Sequence, residues 1–81
     1  MVKTDVAEKV IQIVSEKAAI SKDKLTLTSS FTQDLGFDSL ARMDLVVALE
    51  DAFQLTIPDE DAEKVKTIGD AVSYIKKRMG N

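Results

Sequence analysis

Residues 34–53 read DLGFDSLARMDLVVALEDAF, and this stretch decides the fold class. Gly36 ends an irregular connection, Asp38 is a good N-cap, and a helix is expected from about Ser39 to Phe53. Leu40, Met43, Val46, Val47, Leu49 and Phe53 give this helix an apolar surface broader than one packing stripe requires. Asp44 and Asp51 share a face seven residues apart, with Val47 between them.

Upstream, Thr4 with Asp5 and Glu8 reads as a helix start. Val6, Val10, Ile13 and Val14 then recur at helical spacing, so a first helix is expected over about residues 4–19. A polar connection from Ile20 to Asp38 follows, with Leu25, Leu27, Phe31 and Leu35 spaced through it like pegs. Such a loop is long for a small domain, and the pegs imply that it packs over the core, with a helical turn near Ser30–Asp34. Downstream, Pro58 is placed at the first position of a short third helix, with Asp59, Glu60 and Asp61 in its first turn and an end near Val65 or Lys66. Thr67 and Asp70 resemble a capping box for a last helix. Its stripe is Ile68, Ala71, Val72, Ile75 and Met79, and Lys76, Lys77, Arg78 and Gly80 stand at its end. No segment alternates with period two for long enough to make a strand. The expected fold is all-α: a small four-helix bundle of three main helices plus one short helix, as a single domain over residues 1–81, with a long loop between helices one and two.

The chain has 81 residues, 11 basic and 14 acidic side chains, and no histidine or cysteine. Without cysteine there is no disulfide scaffold, thiolate metal site or nucleophilic thiol, and without histidine there is no imidazole base. No catalytic residues and no metal site are therefore expected, and demanding chemistry would need an imported cofactor or another protein's active site. The acids at Asp59–Glu63 lack the loop spacing and the glycine that an EF-hand calcium site uses. A pI near 4.8 and four aromatic residues argue against nucleic acid. No apolar run approaches a membrane span, so a soluble, cytoplasmic protein is expected, or an organellar one after removal of a transit peptide, and a monomer is expected as well. The net charge of -3 hides a segregation: residues 1–30 carry +1, residues 31–63 carry -8 and residues 64–81 carry +4. An acidic centre of this kind suits either a partner-facing surface or an ordinary solvated helix face.

Ser39 is the residue that could carry chemistry. A serine opening a helix exposes its hydroxyl at the positive end of the dipole, where a phosphoester is stabilised. The simpler reading is that Asp38 and Ser39 only start the helix. A nucleophilic serine has no base to activate it.

The stretch DLGFDSL at 34–40, with VVALEDAF at 46–53 and IPDEDAEK at 57–64, resembles an acyl carrier protein of the phosphopantetheine-binding family over essentially the whole chain. The resemblance implies a 4′-phosphopantetheine arm on Ser39, installed from coenzyme A by a phosphopantetheinyl transferase, with Asp38 and Leu40 as transferase-recognition residues. It implies a carrier with no catalysis of its own, whose acquired thiol presents acyl thioesters to malonyl transferase, ketoacyl synthases, reductases, dehydratase and acyltransferases. It places Asp44, Val47, Glu50 and Asp51 on the partner-binding face. Phe31, Leu45, Val46, Leu49, Ile57, Val65 and Ala71 match positions around a cavity that shelters the acyl chain, in addition to serving as core.

The chain departs from the family pattern at three points. Ala41 and Arg42 stand where fatty-acid carriers often have an acid and a neutral polar residue, and Phe37 replaces a commonly small residue. Arg42 is expected to act at the partner face, where its charge near Asp38 and Asp44 weakens attraction to a basic partner. Dissociated fatty-acid synthesis is the first expectation. A carrier for a polyketide or other specialised acyl pathway, and a cofactor-free helical interaction module, are the alternatives.

Overall fold

A computed structural model describes residues 6–80, so the helix start expected at Thr4 and Asp5 lies outside the described residues. Four α-helices follow in order: α1 Val6–Ala18, α2 Ser39–Phe53, α3 Asp59–Lys64 and α4 Ile68–Arg78. Among the described residues none of these helices is long and apolar enough to cross a membrane. The only strand-like pairing among them is an isolated antiparallel bridge between Ser30 and Thr67.

In α1, Val6, Val10 and Val14 are buried at four-residue spacing, and the helix packs on both α2 and α4. It stops one residue before the expected end. Ala19 adopts a left-handed conformation at φ 57°, and the Ile20 amide turns back to the Ser15 carbonyl.

The connection from Ala19 to Asp38 is ordered by hydrogen bonds to the start of α4. A short 3-10 turn at Lys22–Lys24 leads to buried Leu25. Beyond it, the amides of Ile68 and Gly69 donate to the carbonyls of Ser29 and Leu27, and the Phe31 amide donates to the Lys66 carbonyl. Leu27 was expected to peg this loop through its side chain, and here the expectation fails. The side chain is half-exposed because the residue docks through its carbonyl, 2.7 Å from the Gly69 nitrogen. A Cβ at position 69 would meet that oxygen at 2.8 Å, so this approach requires glycine. The expected turn at Ser30–Asp34 is present, with the Asp34 amide on the Ser30 carbonyl and the Asp34 carboxylate on the Ser30 amide.

Phe37 turns inward and is buried, its ring 5.9 Å from that of Phe31. The large residue before Asp38 is thus a core residue that anchors the turn leading into α2. Gly36, at φ 72°, supplies the left-handed step that lets this turn form.

Pro58 sits at the N-cap of α3 and not at its first helical position. Its ring sets φ at -61°, but ψ is 151°, and its carbonyl receives the amides of Asp61 and Ala62. In α4 the Thr67–Asp70 capping box forms with both hydrogen bonds. Ile68, Ala71, Val72 and Ile75 are buried as the stripe predicts, whereas Met79 is exposed. The helix has already ended there, with Met79 as C-cap and Gly80 at φ 82°.

No side chain of α3 is fully buried: Ala62 packs half-buried against the core, and polar contacts hold the rest. From α4, the Tyr74 hydroxyl donates to the Asp61 carboxylate at 2.7 Å. Arg78 donates to the Tyr74 hydroxyl and to the Thr56 carbonyl, with its guanidinium over the Tyr74 ring. Burial raises the Tyr74 hydroxyl above its ordinary 10.0, the bond to Asp61 raises it further, and Arg78 opposes both. A group raised in the folded state stabilises fully below its unfolded value and loses that contribution as pH climbs through the folded one. Tyr74→Phe should therefore cost about 1 kcal/mol near neutrality. Urea unfolding should show a constant gap from the wild type up to about pH 10 and a shrinking one above it.

Candidate functional site

Asp38 and Ser39 divide the start of α2 between them. The Asp38 carboxylate accepts from the Ala41 amide at 2.8 Å and is the cap. The Ser39 hydroxyl is exposed and makes no hydrogen bond among the described residues. It is not needed to start the helix. It stands at the positive end of a 15-residue helix, where backbone N–H groups stabilise an esterified phosphate. Two serines of the preceding loop are engaged in it. Ser29 is buried and bonded to Thr26, and Ser30 caps its own turn through the Gln33 amide.

An open groove of about 380 Å³ runs from Ser39 between α2 and α3, with Met43, Val46, Val47, Glu50, Ile57, Asp59 and Glu63 along its walls. Behind it lies a cavity of about 30 Å³ lined almost wholly by apolar atoms. The seven residues that sequence resemblance grouped as a cavity, Phe31, Leu45, Val46, Leu49, Ile57, Val65 and Ala71, all lie on its wall. Ala62, Tyr74, Ile75 and Arg42 complete the lining, and sequence reading missed these four as cavity residues. Ile75 had a visible signal in the α4 stripe. Ala62 and Tyr74 had none, because a short acidic helix and a lone tyrosine do not advertise a buried side.

Helix α2 is apolar on two sides. Leu45, Leu49 and Phe53 face the core. Leu40, Met43 and Val47 remain exposed on the other side, with Leu40 at 77%. The three leave an apolar stripe on the outer side of the helix. The four acidic or basic residues expected on the partner face take up different positions. Asp51 is exposed. Asp44 is paired with Lys17 of α1 at 2.9 Å, across a solvent-exposed bridge that contributes little to stability. Glu50 accepts the Ile57 amide at 2.7 Å and ties α2 to the segment before α3. Arg42 points across the groove: one terminal nitrogen donates to the carbonyls of Ala62 at 3.1 Å and Val65 at 3.0 Å. Among the described residues no three acidic side chains converge as a metal-binding group, at Asp59–Glu63 or elsewhere.

An unengaged serine hydroxyl, a helix N-terminus behind it and a groove leading to an apolar cavity fit a long flexible arm esterified through phosphate. The family described as phosphopantetheine attachment site matches residues 8–75. That match spans α1 to α4 and includes the whole Ser39 region, and it sets aside the cofactor-free interaction module. The residues present and the family agree, and the chain belongs to the phosphopantetheine attachment-site family, as a carrier protein that bears 4′-phosphopantetheine.

Proposed function

We propose that Ser39 carries the arm and that the chain is a discrete carrier of acyl thioesters for dissociated fatty-acid synthesis. The observation that supports this most is the continuity of Ser39, the groove and the apolar cavity. When bound, the arm supplies the thiol that the chain lacks, and acyl groups are held on it as thioesters. The protein's own residues do the rest. The N-terminus of α2 stabilises the phosphodiester, Met43, Val46 and Val47 offer an apolar track, and the cavity wall receives the chain. The exposed Leu40, Met43 and Val47, bordered by Asp44 and Asp51, form the docking face for partner enzymes, which present basic and apolar surface to it. The transferase recognises Asp38 and Leu40 beside the serine, and catalysis resides in the partner enzymes.

Malonyl transfer to the holo protein, followed by a ketoacyl synthase with its reductases and dehydratase, tests the pathway. Growth of a saturated chain is the expected result. A holo protein that accepts acyl groups but is not elongated by this set belongs to a specialised acyl or polyketide pathway. The cationic side chain in the groove favours that second reading.

A further inference from the structure

Four residues line both the groove and the cavity: Arg42, Val46, Ile57 and Ala62. They form the throat between the two spaces, and three of them are apolar. The fourth is a half-buried guanidinium bonded to the Ala62 and Val65 carbonyls at the C-terminal end of α3. The Ala62 carbonyl also accepts the Val65 amide, and the Arg42 guanidinium adds a charged donor there and at the Val65 carbonyl, so Arg42 caps α3 from the neighbouring helix. Both bonds use one terminal nitrogen. The remaining guanidinium N–H groups make no hydrogen bond among the described residues.

At about 30 Å³ the cavity holds no acyl chain as it stands. Passage of a chain through the throat requires α3 to move away from α2, and no side chain of α3 is fully buried, with Ala62 packed half-buried against the core. The Tyr74 bond to Asp61 and the pair of Arg42 bonds hold α3, and of these only Arg42 stands in the throat. A saturated chain passing the throat separates the guanidinium from its acceptors and offers none in return. A chain with an oxygen at the β-carbon offers a replacement acceptor inside a partly desolvated site, where an unpaired donor is penalised most.

We propose that Arg42 is a specificity-determining residue of the throat, favouring β-keto and β-hydroxy acyl chains over saturated chains of equal length. This deepens the carrier reading and rests on it. A site built around a hydrogen-bond donor discriminates against the analogue that lacks the acceptor more strongly than an apolar pocket discriminates by size.

The test loads the holo protein with saturated, β-hydroxy and β-keto chains of one length and follows thioester cleavage by hydroxylamine. Each rate is divided by that of the same thioester on free pantetheine. In the wild type the β-oxygenated chains should be protected roughly tenfold better than the saturated chain. Arg42→Met, which keeps the stem and removes the donors, should reverse the order. In the apo form the same variant should speed amide exchange in α3, a readout that needs no arm. Equal protection of all three chains in the wild type overturns the proposal whatever the variant does, and so does an unchanged order in Arg42→Met. The mass of each sample reports arm attachment at Ser39 separately. Failure of the carrier reading appears there as no added mass, and the throat role falls with it.

Discussion

Ser39→Ala should abolish attachment of phosphopantetheine and leave the domain as stable as before. Incubated with coenzyme A, magnesium and a broad-specificity phosphopantetheinyl transferase, the wild type should gain the mass of one arm and the variant none. The expected effect is complete because it removes the oxygen that forms the ester. Nothing in the fold relies on that oxygen. The cap of α2 is the Asp38 carboxylate, and the Ser39 hydroxyl is exposed and unbonded among the described residues. Alanine also suits a first helical turn at least as well as serine, so the melting temperature should hold within the scatter of surface substitutions. Modification of the variant at another serine would overturn the assignment. Loss of the mass together with loss of the fold would show that Ser39 has a structural role absent from the geometry described.

The second large effect is on stability. Ile68→Ala should cost about 3 kcal/mol, because the side chain is fully buried where the long loop meets the first turn of α4. A domain of this length has on the order of 4–12 kcal/mol in total, so this is a large share. The midpoint of thermal unfolding should fall by roughly 15 °C, which circular dichroism can follow. Met43→Ala offers the contrast. Met43 is a large apolar residue too, but it is 65% exposed, and its loss should stay within about 0.5 kcal/mol. A comparable loss at both positions would mean that Met43 is covered in the free protein.

Helix boundaries were legible in the sequence wherever a local hydrogen bond sets them. Asp38 with Ala41, and Thr67 with Asp70, lie three residues apart and need no tertiary information. The excess apolar surface of α2 was legible too, because one helix cannot turn Leu45 and Leu40 to the same neighbour. What escaped depends on partners far along the chain. Arg42 reads as a surface charge until α3 supplies the carbonyls of Ala62 and Val65, 20 and 23 residues on. Glu50 reads as a partner-facing acid until the Ile57 amide is placed beside it. Leu27 docks the loop by its carbonyl on Gly69, far along the chain, and Phe37, to which sequence reading gave no core role, turns its ring onto Phe31. The grouping of seven residues around one cavity came from family resemblance. Apolar periodicity alone could not separate wall from core.

The absence of any fully buried side chain in α3 has a consequence for how such a chain can change over generations. Thermal robustness resides in the frame of α1, α2 and α4 with its docked loop, whereas the wall that meets the cargo belongs in part to α3. On the carrier reading proposed above, substitutions along α3 away from Asp61, which Tyr74 holds, can therefore alter what is carried while drawing little on the stability that keeps the frame folded. Cargo preference and fold integrity should then vary as nearly separate traits, and an engineer could change the first without first reinforcing the second.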